Sequence, residues 1–445
     1  MSEIKDSLEE QIKSVVNKFL EKSKDKEIQI ISHFDTDGIC SATIMIQTLK
    51  KLDKKFSVKI MKSVEEQFIY DLPKDKITLF LDLASGALNY IKETNLQDVF
   101  IIDHHEIAQE IPKQVEIINP ELHDKQKISG SGLTYLFCKE IDSKNKEFAK
   151  LAILGMVGDC LEKQIDKLNN NILEDGDIKR KRGLLIYPST RPLNRTLEYC
   201  SRPYIPEVTG NSQGVYELLR EVNLIPNSGK CKSLIELNKE EMEKLITAIM
   251  LRNPQAKHEE IIGDIFLIKL FNKLEDAREM SAMINACSRF GDPSTAIRLL
   301  MEIPKAKKKA ESIHIKYKQH LISGLKIAEQ LDKIQGKGFV IINAKDEIKD
   351  TMVGTITSIL ASSSIYEEST IIITMAHYDN KIKISARSVG SKGRNLREIL
   401  SHVIEETGGE VGGHEFAAGA IIHKDKEQEF IDILKKSLEI EMVKV

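Results

Sequence analysis

The sequence predicts an α/β protein: a parallel-sheet N-terminal domain and a smaller α/β C-terminal domain, with a mostly helical middle insertion and a connector helix. Three observations lead there. From Ile28 to Cys160, short apolar runs alternate with segments of helical period, the pattern of parallel strands joined by crossover helices. The same alternation starts afresh at Gly338. The stretch between reads as mostly helical. With 445 residues the chain has enough material for two or three domains. The predicted divisions are 1–162, 163–304, 305–337 and 338–445.

In order along the chain, Ile4, Leu8, Ile12, Val15, Val16 and Phe19 recur at helical spacing and predict an amphipathic helix. Glu9 and Glu10 within it, and no small-residue cleavage site after it, speak against a signal peptide. Strands are expected at Ile28–Ser32, Ser57–Met61, Ile77–Leu81, Val99–Asp103 and Val115–Ile118. Helices are expected at Ile39–Leu52, Leu133–Glu140 and Phe148–Met156. Around Lys163 to Arg182 the apolar pattern dissolves into Asn, Asp, Lys and Gly, which predicts a linker or long loop. Pro188, Pro192, Pro203 and Pro206 punctuate the start of the helical middle, and a charged helix from about Lys305 to Lys333 follows it. The last domain reads as strand Phe339–Asn343, helix Val353–Ser362, strands Thr370–Met375 and Lys381–Arg387, and helix Leu396–Glu406. A glycine-rich turn, a short strand and a helix over Gln428–Leu438 close it.

Composition narrows the classes. Hydrophobic residues make up 41% and charged residues 30%, a globular balance. No apolar run approaches the roughly 18 residues of a membrane span. Six scattered cysteines without a CxxC pair suit reduced thiols in a cytoplasmic protein and argue against zinc ribbons and disulfide scaffolds. A net charge of -3 means that any nucleic-acid surface must be local. Lys179–Arg182, and Lys305 with Lys307–Lys309, are the basic runs that could supply one.

Four clusters carry chemistry. His33-Phe34-Asp35-Thr36-Asp37-Gly38 follows the first strand, Asp82 ends the third, Asp103-His104-His105 ends the fourth, and Gly158-Asp159 follows the apolar stretch Ala152–Val157. Each alone reads as a helix cap or a turn. Together they would crowd several carboxylates into one cleft, at a cost of several kcal/mol. A pair of divalent cations removes that cost. The mixed carboxylate and imidazole set suits Mn²⁺ better than Mg²⁺.

These four motifs resemble, in order, those of the DHH phosphoesterases. Gly412-Gly413-His414-Glu415-Phe416-Ala417-Ala418-Gly419 resembles the signature of the DHH-associated domain that follows in exonucleases of the RecJ type, and Ser385-Ala386-Arg387-Ser388 resembles a strand of that domain. Thr190-Arg191-Pro192-Leu193, Pro203-Tyr204-Ile205-Pro206 and Asn285-Ala286-Cys287-Ser288-Arg289 are similar to segments of archaeal RecJ-like nucleases, including those that associate with the replication factor GINS. The resemblance implies that Asp82 bridges two metals, with His33 and Asp35 on one and Asp37, His104 and Asp159 mainly on the other. Asp103 and His105 would act behind these ligands or beside the phosphate. Ser385, Arg387, Gly412, Gly413, His414 and Arg289 would bind substrate. The implied activity is a Mn²⁺-dependent exonuclease on single-stranded DNA, 5′ to 3′, in replication or repair, with DNA favoured over RNA. An RNA exonuclease of 3′ to 5′ polarity and a replisome scaffold with a vestigial site are the alternatives. Aromatic residues are only 5%, so base stacking has few candidates: Tyr187, Tyr204 and Phe290.

Overall fold

The computed structural model describes residues 7–107, 109–123, 126–163, 165–200, 203, 205–225, 229–253, 258–363, 365–390 and 392–439. Ile4 and Tyr204 therefore lie outside the described residues. The chain divides into two units, Met1–His314 and Ile315–Val445.

The first unit opens with α1 (Leu8–Lys22). Ser7 and Glu10 form a capping box: the Glu10 carboxylate accepts from Ser7 N–H at 2.8 Å, and the Ser7 hydroxyl accepts from Glu10 N–H at 3.3 Å. The predicted stripe is buried, and Phe19 stands edge-on to Phe100 and Phe137 at 5.3 and 5.4 Å. Then follow β1 (Ile28–His33), α2 (Thr36–Lys51), β2 (Phe56–Met61), α3 (Glu66–Tyr70), β3 (Ile77–Leu81), α4 (Leu88–Lys92), β4 (Val99–Ile102) and β5 (Val115–Ile118). All five strands pair in parallel in the order β2-β1-β3-β4-β5. Every residue of β3 and β4 is buried, as expected of a sheet covered on both faces. Strand alternation explains how: Ile30, Leu79 and Phe100 enter the core under α1 and α2, while Ile31, Phe80 and Ile101 enter the opposite core with Ile69 and Leu88. The order reverses between β1 and β3, and at such a reversal the carboxyl ends of two strands open a crevice. Helices α5 (Gly130–Ile141) and α6 (Ala149–Gly158) pack on α2 to complete this part.

The stretch read as a linker is ordered structure. It holds α7 (Lys167–Asp175) and β6 (Lys179–Leu184). Leu168, Ile172 and Leu173 bury one face of α7, a stripe too short to register against its polar neighbours. The charged strand β6 gives no apolar alternation because its cations are held by partners distant in sequence. Arg180 pairs with Asp264 at 2.6 Å, and Lys181 donates to the carbonyls of Ile235 and Leu237 at 2.7 and 2.8 Å.

Beyond β6 come α8 (Leu193–Glu198), α9 (Ser212–Glu221), α10 (Lys239–Arg252), α11 (His258–Ile261), β7 (Ile262–Leu270), β8 (Lys273–Asp276), α12 (Ala277–Arg289), α13 (Pro293–Leu300) and α14 (Pro304–Gln330). The middle is mostly helical but also contains an antiparallel sheet, β6-β7-β8. Strand β7 serves two cores. Phe266 and Ile268 join the core of the N-terminal sheet, whereas Ile265 and Leu267 join a separate core around α8, α9 and α10.

The second unit holds β9 (Lys333–Gly336), β10 (Phe339–Asn343), α15 (Asp350–Ala361), β11 (Ile371–Tyr378), β12 (Lys381–Ser388), α16 (Leu396–Thr407), β13 (Glu410–His414), β14 (Ala417–His423) and α17 (Glu427–Glu439). Its six-stranded sheet has the order β13-β14-β12-β11-β10-β9, with only β10 and β11 parallel. Two expectations need correction. The last residues read as connector helix form β9, which pairs with β10. The glycine-rich segment Gly412-Gly413-His414 is not a turn but part of β13; Gly413 pairs with Ala418 and His414 with Ala417.

Candidate metal centre

Local sequence places each ligand candidate. Asp35 is the N-cap of α2, where one carboxylate oxygen accepts from Gly38 N–H at 3.0 Å; the cap and the ligand candidate are the same residue. Its other oxygen lies 3.0 Å from His33 Nδ1. Asp37, in the first turn of the helix, is fully buried, and its Oδ1 accepts from Ser131 N–H at 3.0 Å. Asp82 follows β3 in left-handed backbone (φ 59°), a conformation that costs a non-glycine residue about 1 kcal/mol or more. Asp159 caps the C-terminal end of α6, a helix rather than a strand.

The side chains converge. Asp82 Oδ2 lies 3.5 Å from His33 Nδ1, Asp82 Oδ1 lies 3.3 Å from His104 Nε2, and Asp159 Oδ2 lies 3.4 Å from the same nitrogen. Two triads result, His33–Asp35–Asp82 and Asp37–His104–Asp159, each with ligand atoms within 4.8 Å of one another. A third set, Asp82–His104–His105, overlaps both. His33 Nδ1, Asp37 Oδ2, both Asp82 carboxylate oxygens and Asp159 Oδ2 are buried without a hydrogen-bond partner. Leaving such groups unsatisfied is expensive.

Electrostatics tell the same story. Burial pushes Asp37 up to about 7, helped by the neighbouring Asp82 charge. Burial, with Asp37 and Asp82 beside it, pushes Asp159 far above the carboxylate range. Burial pulls the His33 imidazole down, but Asp35 and Asp82 outweigh it and raise the value to about 11. His104 is raised to about 9 against its burial, mainly by Asp82. Asp82 is also opposed by burial, yet His104 and His33 hold it below the usual carboxylate range. Without cations the cluster shares protons among groups too close to ionise together. The hard oxygen and imidazole donors, with no thiolate among them, fit a pair of divalent cations of the Mn²⁺ or Mg²⁺ kind.

Asp103 and His105 play a different part. Asp103 is fully buried and its capacity is taken: Oδ2 accepts from Ser85 N–H at 2.9 Å, and Oδ1 accepts from His104 N–H at 2.8 Å and meets His105 Nδ1 at 2.7 Å. It orients the two histidines. Asn119 adds to this, donating to the His105 carbonyl at 2.8 Å and to Ser85 Oγ at 3.0 Å.

Several contributors escaped sequence reasoning. Gly130 and Gly155 leave room for the carboxylates: a Cβ at Gly130 would stand 2.7 Å from Asp82 Oδ1, and one at Gly155 only 2.2 Å from Asp37 Oδ1. Asn285 Oδ1, on α12, accepts from Thr36 N–H at 3.1 Å, and the Thr36 hydroxyl donates to the Ser281 carbonyl at 3.0 Å. Arg289 lies one turn past Asn285 on the same helix, half-buried.

In the second unit, Arg387 is held from several sides. Its Nε donates to Ser358 Oγ at 3.1 Å, and its Nη1 donates to Ser385 Oγ at 3.2 Å and to the carbonyls of Ala386 and Ala418 at 2.8 and 3.3 Å. His414 and Gly412 are exposed on β13. Gly413 is required by its own strand: at φ 119°, a Cβ there would stand 2.4 Å from the Ala417 carbonyl oxygen.

The sequence matches three family models in chain order: the DHH family, N-terminal domain, over residues 27–156; the DHH-CID domain over 186–260; and the DHHA1 domain over 336–439. The chain is a DHH-family phosphoesterase in fold. The uncharacterized protein MJ0831 of Methanocaldococcus jannaschii resembles this DHH-family chain along most of its length, 28% identical over 91% of both. The single-stranded-DNA-specific exonuclease RecJ of Bacillus subtilis is 24% identical over 31% of this chain, which spans only 20% of that protein. Two solved structures share the fold. Exonuclease RecJ bound to manganese superposes with a TM-score of 0.60 at 16% identity, over 98% of this chain and 95% of that one. CDC45 of Entamoeba histolytica gives 0.65 at 12% identity, over 96% and 99%. Among the described residues no helix is long and apolar enough to cross a membrane.

Proposed function

We propose that this DHH-family chain is a two-cation exonuclease that degrades single-stranded DNA from its 5′ end, releasing 5′-mononucleotides in replication or repair. The observation that carries the reading is the pair of His/Asp triads joined through Asp82, with its buried carboxylate oxygens lacking hydrogen-bond partners. When bound, the cations would supply a nucleophilic water near neutral pH and neutralise charge on the phosphodiester. Asp82 would hold both, His33 and Asp35 one, and Asp37, His104 and Asp159 the other. Asp103 fixes the His105 ring through Nδ1, which leaves Nε2 to donate to a phosphate oxygen. Arg289, Arg387, Ser385, His414 and the backbone at Gly412 and Gly413 are proposed as substrate contacts. Contacts of this kind read the backbone and impose little sequence preference. The single-strand preference and the choice of DNA over RNA rest on the likeness to the RecJ relatives; GINS as a replisome partner rests on the similarity of the segments beginning at Thr190, Pro203 and Asn285 to archaeal RecJ-like nucleases.

The test uses strands labelled at either end, offered with Mn²⁺ as linear single-stranded DNA, matching RNA, covalently closed circles and blunt duplex. Mononucleotide release from linear single-stranded DNA alone, label appearing first from the 5′ end, is the expected result. Cleavage of circles would refute end-directed action. Faster RNA decay from the 3′ end would turn the assignment to the RNA enzyme. A chain that binds two Mn²⁺ ions yet cuts none of these would fit the scaffold reading instead.

A further inference from the structure

The metal-ligand loop is held in place by a helix almost 250 residues further along the chain. Thr36 sits between Asp35 and Asp37, so whatever fixes Thr36 fixes the spacing of two ligand candidates on either side. Its backbone N–H is one of the donors that the first turn of α2 leaves unpaired. Asp35 caps Gly38 N–H and leaves that of Thr36 over; Asn285 Oδ1 takes it at 3.1 Å. The Thr36 side chain is buried as well, with its hydroxyl 3.0 Å from the Ser281 carbonyl and 3.1 Å from Ser281 Oγ. Space enforces the fit: a Cβ on Gly158, the residue before Asp159, would stand 2.8 Å from Thr36 Cβ. Ser281 and Asn285 are four apart on α12 and so share one stripe of it. That stripe meets the loop at two points.

We infer that Asn285 is a positioning residue for the cation-binding loop, and that α12 is thereby a working part of the metal centre. The inference rests on the two-cation reading. Groups that orient metal ligands from behind commonly contribute 10–100-fold to metal affinity. Here the contribution runs through backbone: with the Thr36 N–H untethered, the Asp35 and Asp37 carboxylates lose their fixed separation.

The experiment titrates Mn²⁺ into metal-stripped full-length protein, followed by calorimetry and by the electron paramagnetic resonance signal of coupled ion pairs. Wild type is expected to take up two ions per chain. Asn285→Ala should weaken uptake about tenfold and diminish the coupled-pair signal, with the melting temperature in chelator little changed. Asn285→Asp keeps an acceptor oxygen at the same place and should bind within a few-fold of wild type. Should Asn285→Ala fail to fold, Thr36→Val, which removes only the hydroxyl donor, is expected to shift the affinity in the same direction. Wild-type affinity in Asn285→Ala, or equal losses in the alanine and aspartate variants, would overturn the inference while leaving the two-cation reading intact. No Mn²⁺ uptake by wild type would take down both.

Discussion

The His/Asp cluster in the first unit and the Arg387–His414 face in the second make opposite use of polar groups. The cluster buries four carboxylate oxygens and one imidazole nitrogen without hydrogen-bond partners, and the proton affinities of its groups are displaced in both directions. In the second unit, Arg387 donates from Nε and Nη1 to two hydroxyls and two carbonyls, and His414 is exposed. The first site is incomplete by itself. The second is held by hydrogen bonds of its own unit. An incomplete site has to bind something to be at rest, and that something must carry positive charge.

The largest expected effect breaks the first half of that comparison. Asp82→Asn removes the shared anionic ligand and should lower Mn²⁺-dependent hydrolysis by at least about a hundredfold. Thermal melting in chelator at neutral pH should fall, since the change also removes the charge that His33 and His104 face. Activity within tenfold of wild type would sink the bridging role. Asp159→Asn should lower hydrolysis likewise but hold or raise the melting temperature in chelator, since Asp37 and Asp82 repel its charge.

A pH series on chelated protein comes next. His33 and His104 stabilise the fold fully below the ordinary histidine value of 6.5, and that contribution fades as pH rises towards about 11 and about 9. Asp37 and Asp159 act in the same direction, since the native state keeps protons that the unfolded chain has released above 3.8. Asp82 works oppositely, but only in acid, where its contribution is lost as pH falls below 3.8. The chelated protein should therefore melt at progressively lower temperature from pH 6.5 to 9, and Mn²⁺ should cancel the trend. A flat profile in chelator would contradict the crowding described for the cluster.

Smaller effects sharpen the second half. Arg387→Ala and His414→Ala should each raise KM for a single strand, roughly 10-fold or more for the arginine, as expected for hydrogen bonds to a charged group. Manganese content should not change. Arg387→Ala should also lower the melting temperature, because Ser358 and Ser385 lose their partner, whereas His414→Ala should not. Metal loss in either variant would mean that the two faces are not chemically separate. The smallest effect concerns β6. Lys181→Met should leave the salt dependence of strand binding unchanged, because Lys181 is tied to the carbonyls of Ile235 and Leu237. A slope reduced by about one would assign it a phosphate.

What could be read from sequence follows from range. His33, Asp35, Asp37, Asp82, Asp103, His104 and Asp159 announce themselves because each closes an apolar run, and a strand or helix end is a local event. Gly130 and Gly155 do not, because their contribution is empty space beside Asp82 and Asp37 and nothing local marks it. Asn285 falls in a segment the sequence singles out, whereas nothing marks Ser281, and the bonds of both to Thr36 depend on how α12 packs. Strand β6 was hidden for a related reason: its charges are balanced by Asp264 and by distant carbonyls, so it lacks the apolar signature of a strand. The glycines of β13 suggested a turn because positive φ usually marks one; here Gly413 takes that conformation inside a ladder.

Strands β6 and β7 are antiparallel neighbours, with Leu184 opposite Ile262 and Leu185 N–H bonded to the Ile261 carbonyl at 2.7 Å. Everything from 186 to 260, the stretch matched by the DHH-CID model, thus leaves and re-enters through the open end of a hairpin. Topologically it is a guest with a two-stranded stem, and a short hairpin turn could close the stem in its absence. The helices beyond β8 have no such doorway, because α12 shares the core of the N-terminal sheet. Loss of the guest would still uncover Ile265 and Leu267 and take away the partners that Ser189 and Arg191 give to Asp276 and Glu279, whereas any loss of α12 would reach the Asp35–Asp37 loop directly.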